Sequence, residues 1–233
     1  MNAENFTIRL SIETSMPRPY LMNWAGIALV SLKRKNKLIE KFSNATDRAE
    51  YVATDTFRGK YRRDKTPAIS HMERIVSRVK RFHDPELEQI AWLHDLIEER
   101  KYTLKDLEDL GFSARVLAAV DALSKREMEG EGYLNYIERL AQNIDAITVK
   151  LFDINDNTSK GAKPDRLEFL YPIAKEYLID AKRRHNRNEP LIGIDEFMCE
   201  NARVGRIHTA NPEQFMTRAK QYYNGAIPCL GIG

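Results

Sequence analysis

The sequence predicts an all-α protein. Three observations carry that expectation: apolar residues recur at helical spacing, capping residues fall just ahead of those segments, and glycine or proline marks many of the joints. Ile69, Met72, Ile75, Val76 and Val79 form one such stripe, and Val116, Leu117, Val120 and Leu123 form another. No internal repeat or low-complexity tract interrupts the pattern. At 233 residues the chain suits one globular domain with a sizeable core.

The elements follow in order. Residues 1–20 read as irregular or weakly strand-like and close with Pro17-Arg18-Pro19, and a first helix is expected over 21–41. Ser43-Asn44 and Thr46-Asp47 supply N-cap candidates for a helix over 46–58, which Gly59 ends before a basic loop, 60–67. A helix over 68–82 comes next. Asp84, Pro85 and Glu86 then give an N-cap, a first-turn proline and a first-turn acid, opening a helix expected to carry His94 and Asp95. Thr103 caps a short helix ended by Gly111, and Ser113 starts another. A glycine-bearing acidic loop over 126–132 leads to helices over 133–142 and 146–157. After a break at 161–164, a long amphipathic helix is expected over 167–185, with basic residues in its last turns. The pattern weakens beyond. The expected organisation is an N-terminal extension (1–45) packed on the core, a main domain (46–185) and a peripheral C-terminal tail (186–233).

Composition narrows the function classes. The 37 Lys and Arg nearly balance 34 Asp and Glu, leaving a net charge of +3. So weak a basicity argues against stable nucleic-acid binding and suits a small anionic partner. Cys199 and Cys229 match no zinc spacing and read as reduced thiols, as in a cytoplasmic protein. Residues 1–18 include Glu4, Arg9 and Glu13, so no signal-peptide apolar region is expected there. The apolar run 24–32 is about half a membrane span and reads as a buried helix rather than a membrane anchor.

Four residues in chain order carry the chemistry: His71, His94-Asp95 and Asp153, each on a predicted helix. Two imidazoles and two carboxylates suit Mn²⁺, Fe²⁺ or Zn²⁺ and tolerate Mg²⁺, with Co²⁺ a further alternative. Four ligands leave open positions on an octahedral ion, as catalysis requires. Adjacent ligands on one helix point about 100° apart, so the ion must sit at a helix edge and be closed by other helices. That is a metal site in the core of a bundle.

Glu98, four residues after His94, is expected one turn above the metal, placed to take a proton from water. Glu99 is the next acid and faces away unless the helix ends there. Arg62, Arg63, Lys125 and Lys150 are candidate phosphate contacts, and Asn157 is placed to bond a ligand oxygen or cap its helix. His83-Asp84 is also a His-Asp pair, but Asp84-Pro85 explains it as helix capping. His185 and His208 read as solvated.

These stretches resemble a known family. Over about residues 45–180 the chain is similar to the HD hydrolase domain of RelA/SpoT-type alarmone hydrolases. The segment from Gly59 through Arg62 and Pro67 to His71 resembles that family's Gly-Gln-x-Arg-x-x-Gly-x-Pro-Tyr-Ile-x-His. Leu93-His94-Asp95 with Glu98-Glu99 resembles Leu-His-Asp-x-x-Glu-Asp, and Val149 to Asn157 resembles Val-Lys-Leu-Ala-Asp-Arg-Leu-His-Asn. The resemblance implies an HD-type helical bundle in which His71, His94, Asp95 and Asp153 hold Mn²⁺. It further implies that Glu98 activates water and that Arg62 and Asn157 touch the nucleotide. The departures are Ala68 for an aromatic beside the metal histidine, Glu99 for an aspartate, and Ile154 for a basic residue, with acidic Asp156 nearby.

HD-type 5′-nucleotidases share the same ligand order. Because Ile154 and Asp156 fall where a basic residue would favour a second diphosphate, the sequence favours a metal-dependent (deoxy)nucleoside 5′-monophosphate phosphatase. A (p)ppGpp 3′-pyrophosphohydrolase is the first alternative, and a non-catalytic nucleotide-binding module the second. The expected partner is a small nucleotide, with a homo-oligomer left open.

Overall fold

The computed structural model describes residues 35–159 and 169–203. Residues 35–41 are helical. There follow α1 (Ala45–Phe57), α2 (Ile69–Val79), α3 (Pro85–Leu93), α4 (Leu104–Asp109), α5 (Ala114–Leu123), α6 (Tyr133–Leu140), α7 (Ile144–Ser159), α8 (Tyr171–Arg187) and α9 (Ile194–Arg203). Among the described residues there is no strand, only an isolated bridge between Tyr61 and Pro67. No described helix is long and apolar enough to cross a membrane.

The caps explain where the helices begin. The Asn44 side chain accepts the Thr46 N–H at 2.8 Å, and Asp84 accepts the N–H groups of Glu86 and Leu87 at 3.0 and 3.2 Å. Thr103 and Asp106 form a reciprocal capping box ahead of α4, and Ser113 accepts the Val116 N–H ahead of α5. His83, just before Asp84, has a φ of 53° and closes the preceding 3₁₀ turn, so this His-Asp pair is a helix boundary.

α3 is the centre of the bundle. It packs against α1, α2, α5 and α7, and Leu87, Ile90, Ala91 and Leu93 are buried among them. α7 lies across α2, α3, α5 and α8. The helices that bring His71, His94 and Asp153 are therefore neighbours in one apolar core, which fixes their separations. α9 falls within the stretch expected to be a peripheral tail, yet it places Ile194, Phe197 and Met198 in that core.

Three expectations change, and a fourth is met only in part of its range. The helix opened by Asp84 ends at Leu93, and residues 94–100 run on as turns. The cause is local: the His94 ring Nδ1–H takes the Ala91 carbonyl, which a continuing helix would give to the Asp95 N–H. His185 is half-buried and hydrogen-bonded to the Ala141 carbonyl at 2.8 Å rather than solvated. Cys199 is disulfide-bonded rather than free, a pairing for which sequence spacing carries no signal. The expected helix over 21–41 is helical in 35–41, and its remainder lies outside the described residues, as does His208.

Candidate metal centre

His71 sits in the first turn of α2, His94 at the C-terminal end of α3, Asp95 in the turn after it, and Asp153 two-thirds along α7. His71, His94 and Asp153 are nearly fully buried, whereas Asp95 is partly open to solvent. One ligand atom from each of His71, His94 and Asp95 lies within 4.8 Å of the others. Asp153 Oδ1 adjoins this group, 3.0 Å from His71 Nε2. The two imidazoles meet edge to face, with centroids 5.3 Å apart.

The tautomers follow from the partners. A carbonyl and a carboxylate can only accept. His94 therefore carries its proton on Nδ1, against Ala91 O at 2.8 Å, and His71 on Nδ1, against Asp156 Oδ2 at 2.8 Å. Both rings then turn Nε2 to the same space, where the proton that His71 Nε2 shares with Asp153 Oδ1 at 3.0 Å would have to leave for an ion to bind. His94 Nε2 is buried and has no hydrogen-bond partner. An orphaned acceptor costs about 1–3 kcal/mol in a closed site unless something fills the position. Two Nε2 atoms with carboxylates alongside fit a divalent cation of the transition series.

The charges around the pair agree. Burial alone would lower the His71 pKa, but Asp153, Asp95 and Asp156 more than reverse it. Burial would raise the Asp153 carboxyl, yet Lys150 first and His71 next hold it well below the usual range. Lys150 is buried, with Nζ 2.8 Å from Asp153 Oδ2 and lying over the Tyr136 ring. The ammonium thus occupies one oxygen of Asp153 and leaves Oδ1 to face His71. Asn157 Nδ2 donates to that same Oδ1 at 2.6 Å, and its carbonyl accepts from Arg62. Arg62 and Asn157 stand beside Asp153 in one chain of hydrogen bonds, and Lys150 is held inside the site as a partner of Asp153.

The sequence did not mark Asp156 as a supporting acid. It is 1% exposed and accepts three hydrogen bonds: one from His71 and two from Arg74, at 2.7 and 2.8 Å. Arg78 stands 3.5 Å away. Burial would raise this carboxyl, but Arg74 and His71 hold it well below its ordinary value. A signal did exist: Arg74 lies three residues after His71 and Asp156 three after Asp153, so each helix carries a charge one turn beyond its ligand.

Glu98 and Glu99 take different places, and for Glu99 the exception stated above applies. Because α3 stops at Leu93, Glu99 turns to the cavity and pairs with Lys60. The Glu98 carboxylate accepts the Lys125 N–H at 3.0 Å. Burial of that carboxyl first, and the Asp95 charge second, push it up to about 7, although solvent on the rest of the side chain screens part of the effect. Lys125 therefore serves through its backbone, while its ammonium lies 3.6 Å from Glu127. Arg63 is exposed.

A cavity of about 460 Å³ opens onto His71 and Asp95, walled by Phe57, Lys60, Tyr61 and Arg62. That volume suits a nucleotide-sized ligand. Ile154 and Asp156 do not line it: Ile154 is fully buried in the core and Asp156 is behind His71. The two departures that disfavoured a second diphosphate therefore face away from the place where a substrate would sit.

No model of a known protein family matches the chain. Curated relatives do. A guanosine-3′,5′-bis(diphosphate) 3′-pyrophosphohydrolase of Haemophilus influenzae is 29% identical over 158 residues, covering 59% of this chain and 23% of the relative. The protein of that name from Vibrio cholerae is 31% identical over 159 residues, 59% of this chain and 22% of the relative. The bifunctional (p)ppGpp synthase/hydrolase SpoT of Escherichia coli is 30% identical over 146 residues, 54% of this chain and 21% of the relative. The chain spans about a fifth of the length of these relatives. Its helical core, with His71, His94 and Asp95 clustered, accords with that similarity to hydrolases of this kind.

Proposed function

We propose that this chain is a metal-dependent nucleotide phosphohydrolase acting as a (p)ppGpp 3′-pyrophosphohydrolase. One observation carries the reading. Two buried imidazoles, each holding its Nδ1–H against an acceptor, turn Nε2 to one space beside Asp95 and Asp153, and His71 and Asp95 line a nucleotide-sized cavity. The named activity of the relatives supports this substrate over the nucleoside monophosphate favoured by the sequence. The inward placement of Ile154 and Asp156 removes the argument that had ranked the monophosphate first. A non-catalytic module would be expected to lack a ligand or a nearby acid, and both are present.

His71, His94, Asp95 and Asp153 would hold a divalent ion, with Mn²⁺ the first choice, and that ion would supply Lewis-acid neutralisation of phosphate charge. The residues do the rest. Lys150 fixes Asp153, and Asp156 with Arg74 fixes His71. Glu98, whose carboxyl is raised towards neutrality, is suited to exchange a proton near physiological pH, and Glu99 stands at the cavity with Lys60. Arg62 and Asn157 lie where a phosphate or ribose oxygen would enter. In the reaction a water oxygen bonds to the 3′-linked phosphorus and the bond to O3′ breaks. Pyrophosphate leaves, O3′ gains a proton, and the water's proton passes to a carboxylate.

The test is product identification. Metal-loaded protein is incubated separately with guanosine-3′,5′-bis(diphosphate) and with nucleoside 5′-monophosphates. Pyrophosphate from the first, at a higher kcat/KM than orthophosphate release from the second, supports the reading. The reverse order restores the 5′-nucleotidase reading, and turnover of neither removes both.

A further inference from the structure

The geometry points to Tyr61 as the residue that holds the nucleobase, by stacking its ring on an aromatic base at the cavity rim. The inference rests on the nucleotide reading above and names a subsite of that same cavity. Tyr61 is 69% exposed, among the most exposed large apolar side chains of the described residues, and it lines the cavity that contains His71 and Asp95. Lone exposed aromatics are common and prove nothing. This one differs in how its backbone is held.

The loop from Gly59 to Ala68 is tied across itself at every step. Arg62 N–H donates to Thr66 O at 2.8 Å, Lys65 N–H to Arg62 O at 2.9 Å, and Ala68 N–H to Lys60 O at 2.9 Å, while Tyr61 bridges Pro67. Asp64 accepts the Thr66 N–H at 3.0 Å, which closes the tip. On either side of Tyr61, Lys60 pairs with Glu99 and Arg62 with Asn157. Both neighbours are therefore anchored to the site, and the ring between them projects from a rigid stalk. Its low conformational freedom reduces the ordering cost of binding.

The rest of the lining is in keeping with such a subsite. Ala68, which has only a methyl where the resembling family keeps an aromatic, lines the same cavity, as do Phe57 and Met72. A methyl at Ala68 fills less of that cavity than an aromatic would and leaves more of it to a flat ring. The ligand class is an aromatic nucleobase carrying phosphate on its ribose. A base-free sugar phosphate would use Arg62 and the metal ligands but not Tyr61.

Tyr61→Ala, Tyr61→Phe and the wild-type protein are compared, all metal-loaded. Stacking is worth enough that its removal changes affinity by about five- to a hundredfold. Tyr61→Ala is expected to raise KM for guanosine-3′,5′-bis(diphosphate) about tenfold with kcat little changed. Tyr61→Phe should restore it, and ribose 5-phosphate binding should be the same in all three proteins. Because the side chain is exposed, neither variant disturbs the core. Calorimetric titration with guanosine 5′-monophosphate decides the point independently of turnover. A tenfold weaker affinity in Tyr61→Ala supports the subsite even if the proposed reaction fails. Equal affinities in wild type and Tyr61→Ala, or no affinity in wild type, overturn it.

Discussion

Replacing Asp156 with Asn leaves a side chain of the same shape but without charge, and the consequence can be worked from its three bonds. Two come from Arg74 at 2.7 and 2.8 Å and one from His71 Nδ1 at 2.8 Å, all at a carboxylate that is 1% exposed. The His71 proton can still find the amide oxygen, but that oxygen no longer draws the ring with a full charge, and Arg74 loses half of its bidentate acceptor. Weakening the group that orients a metal histidine typically costs about 10- to 100-fold in metal affinity, or about 1.4–2.7 kcal/mol. Truncation is harsher. Asp156→Ala leaves the Arg74 guanidinium and the His71 N–H without their shared acceptor, a loss of about 3–5 kcal/mol for a buried pair. Calorimetric titration of Mn²⁺ into metal-free protein measures the first effect, and urea unfolding of the metal-free protein measures the second. The Asn variant should bind Mn²⁺ weakly yet fold, and the Ala variant should lose stability. An Asn variant with wild-type Mn²⁺ affinity would refute the orienting role of Asp156.

Other expectations follow from the same geometry. Lys150→Met should destabilise the metal-free protein by about 3–5 kcal/mol, because it leaves Asp153 buried without its cation, and the thermal stabilisation gained on adding Mn²⁺ should grow accordingly. Glu98→Gln should retain Mn²⁺ affinity in titration while kcat falls by about 10²–10⁴-fold if this acid moves the proton, whereas an unchanged kcat would pass the role to Glu99. Asp84 is held below its ordinary pKa chiefly by Arg115, so its contribution to stability is present above about pH 4. That contribution is lost as pH falls through the lower folded value, and Asp84→Ala should flatten the acid limb of a urea-midpoint against pH curve.

Much of the fold was legible because local chemistry decided it. Asp84, Thr103 and Ser113 start helices by accepting backbone N–H groups, and the stripe from Ile69 to Val79 faces the core as its spacing requires. The four candidate ligand residues could be nominated for a different reason: a metal needs particular atoms, and helical frames restrict where they occur. What escaped the sequence lay in interactions between elements. The end of α3 depends on the His94 ring competing for the Ala91 carbonyl, so a residue read as a ligand is also the helix's own terminator. That single choice turned Glu99 towards the cavity.

The same distinction explains why the substrate ranking changed. Ile154 and Asp156 were weighed as if residues near a ligand in sequence must be near the substrate in space. On a helix, residues one and three beyond Asp153 are rotated by about 100° and 300° from it. Ile154 faces the apolar core, and Asp156 returns towards His71 from the side away from the cavity. A carboxylate placed there repels no phosphate. It holds an imidazole, with Arg74 offsetting its charge. On the proposed reading, the residues after Asp153 bear on the support of the metal site, whereas discrimination between substrates would rest with the cavity residues Lys60, Tyr61, Arg62 and Ala68. Exchanging those residues should change which nucleotide is turned over, and exchanging Asp156 should change metal affinity for every substrate alike. Parallel measurement of kcat/KM ratios across substrates and of Mn²⁺ affinity separates the two classes. A shift in substrate preference in the Asp156→Asn variant at saturating Mn²⁺ would show that this division is wrong.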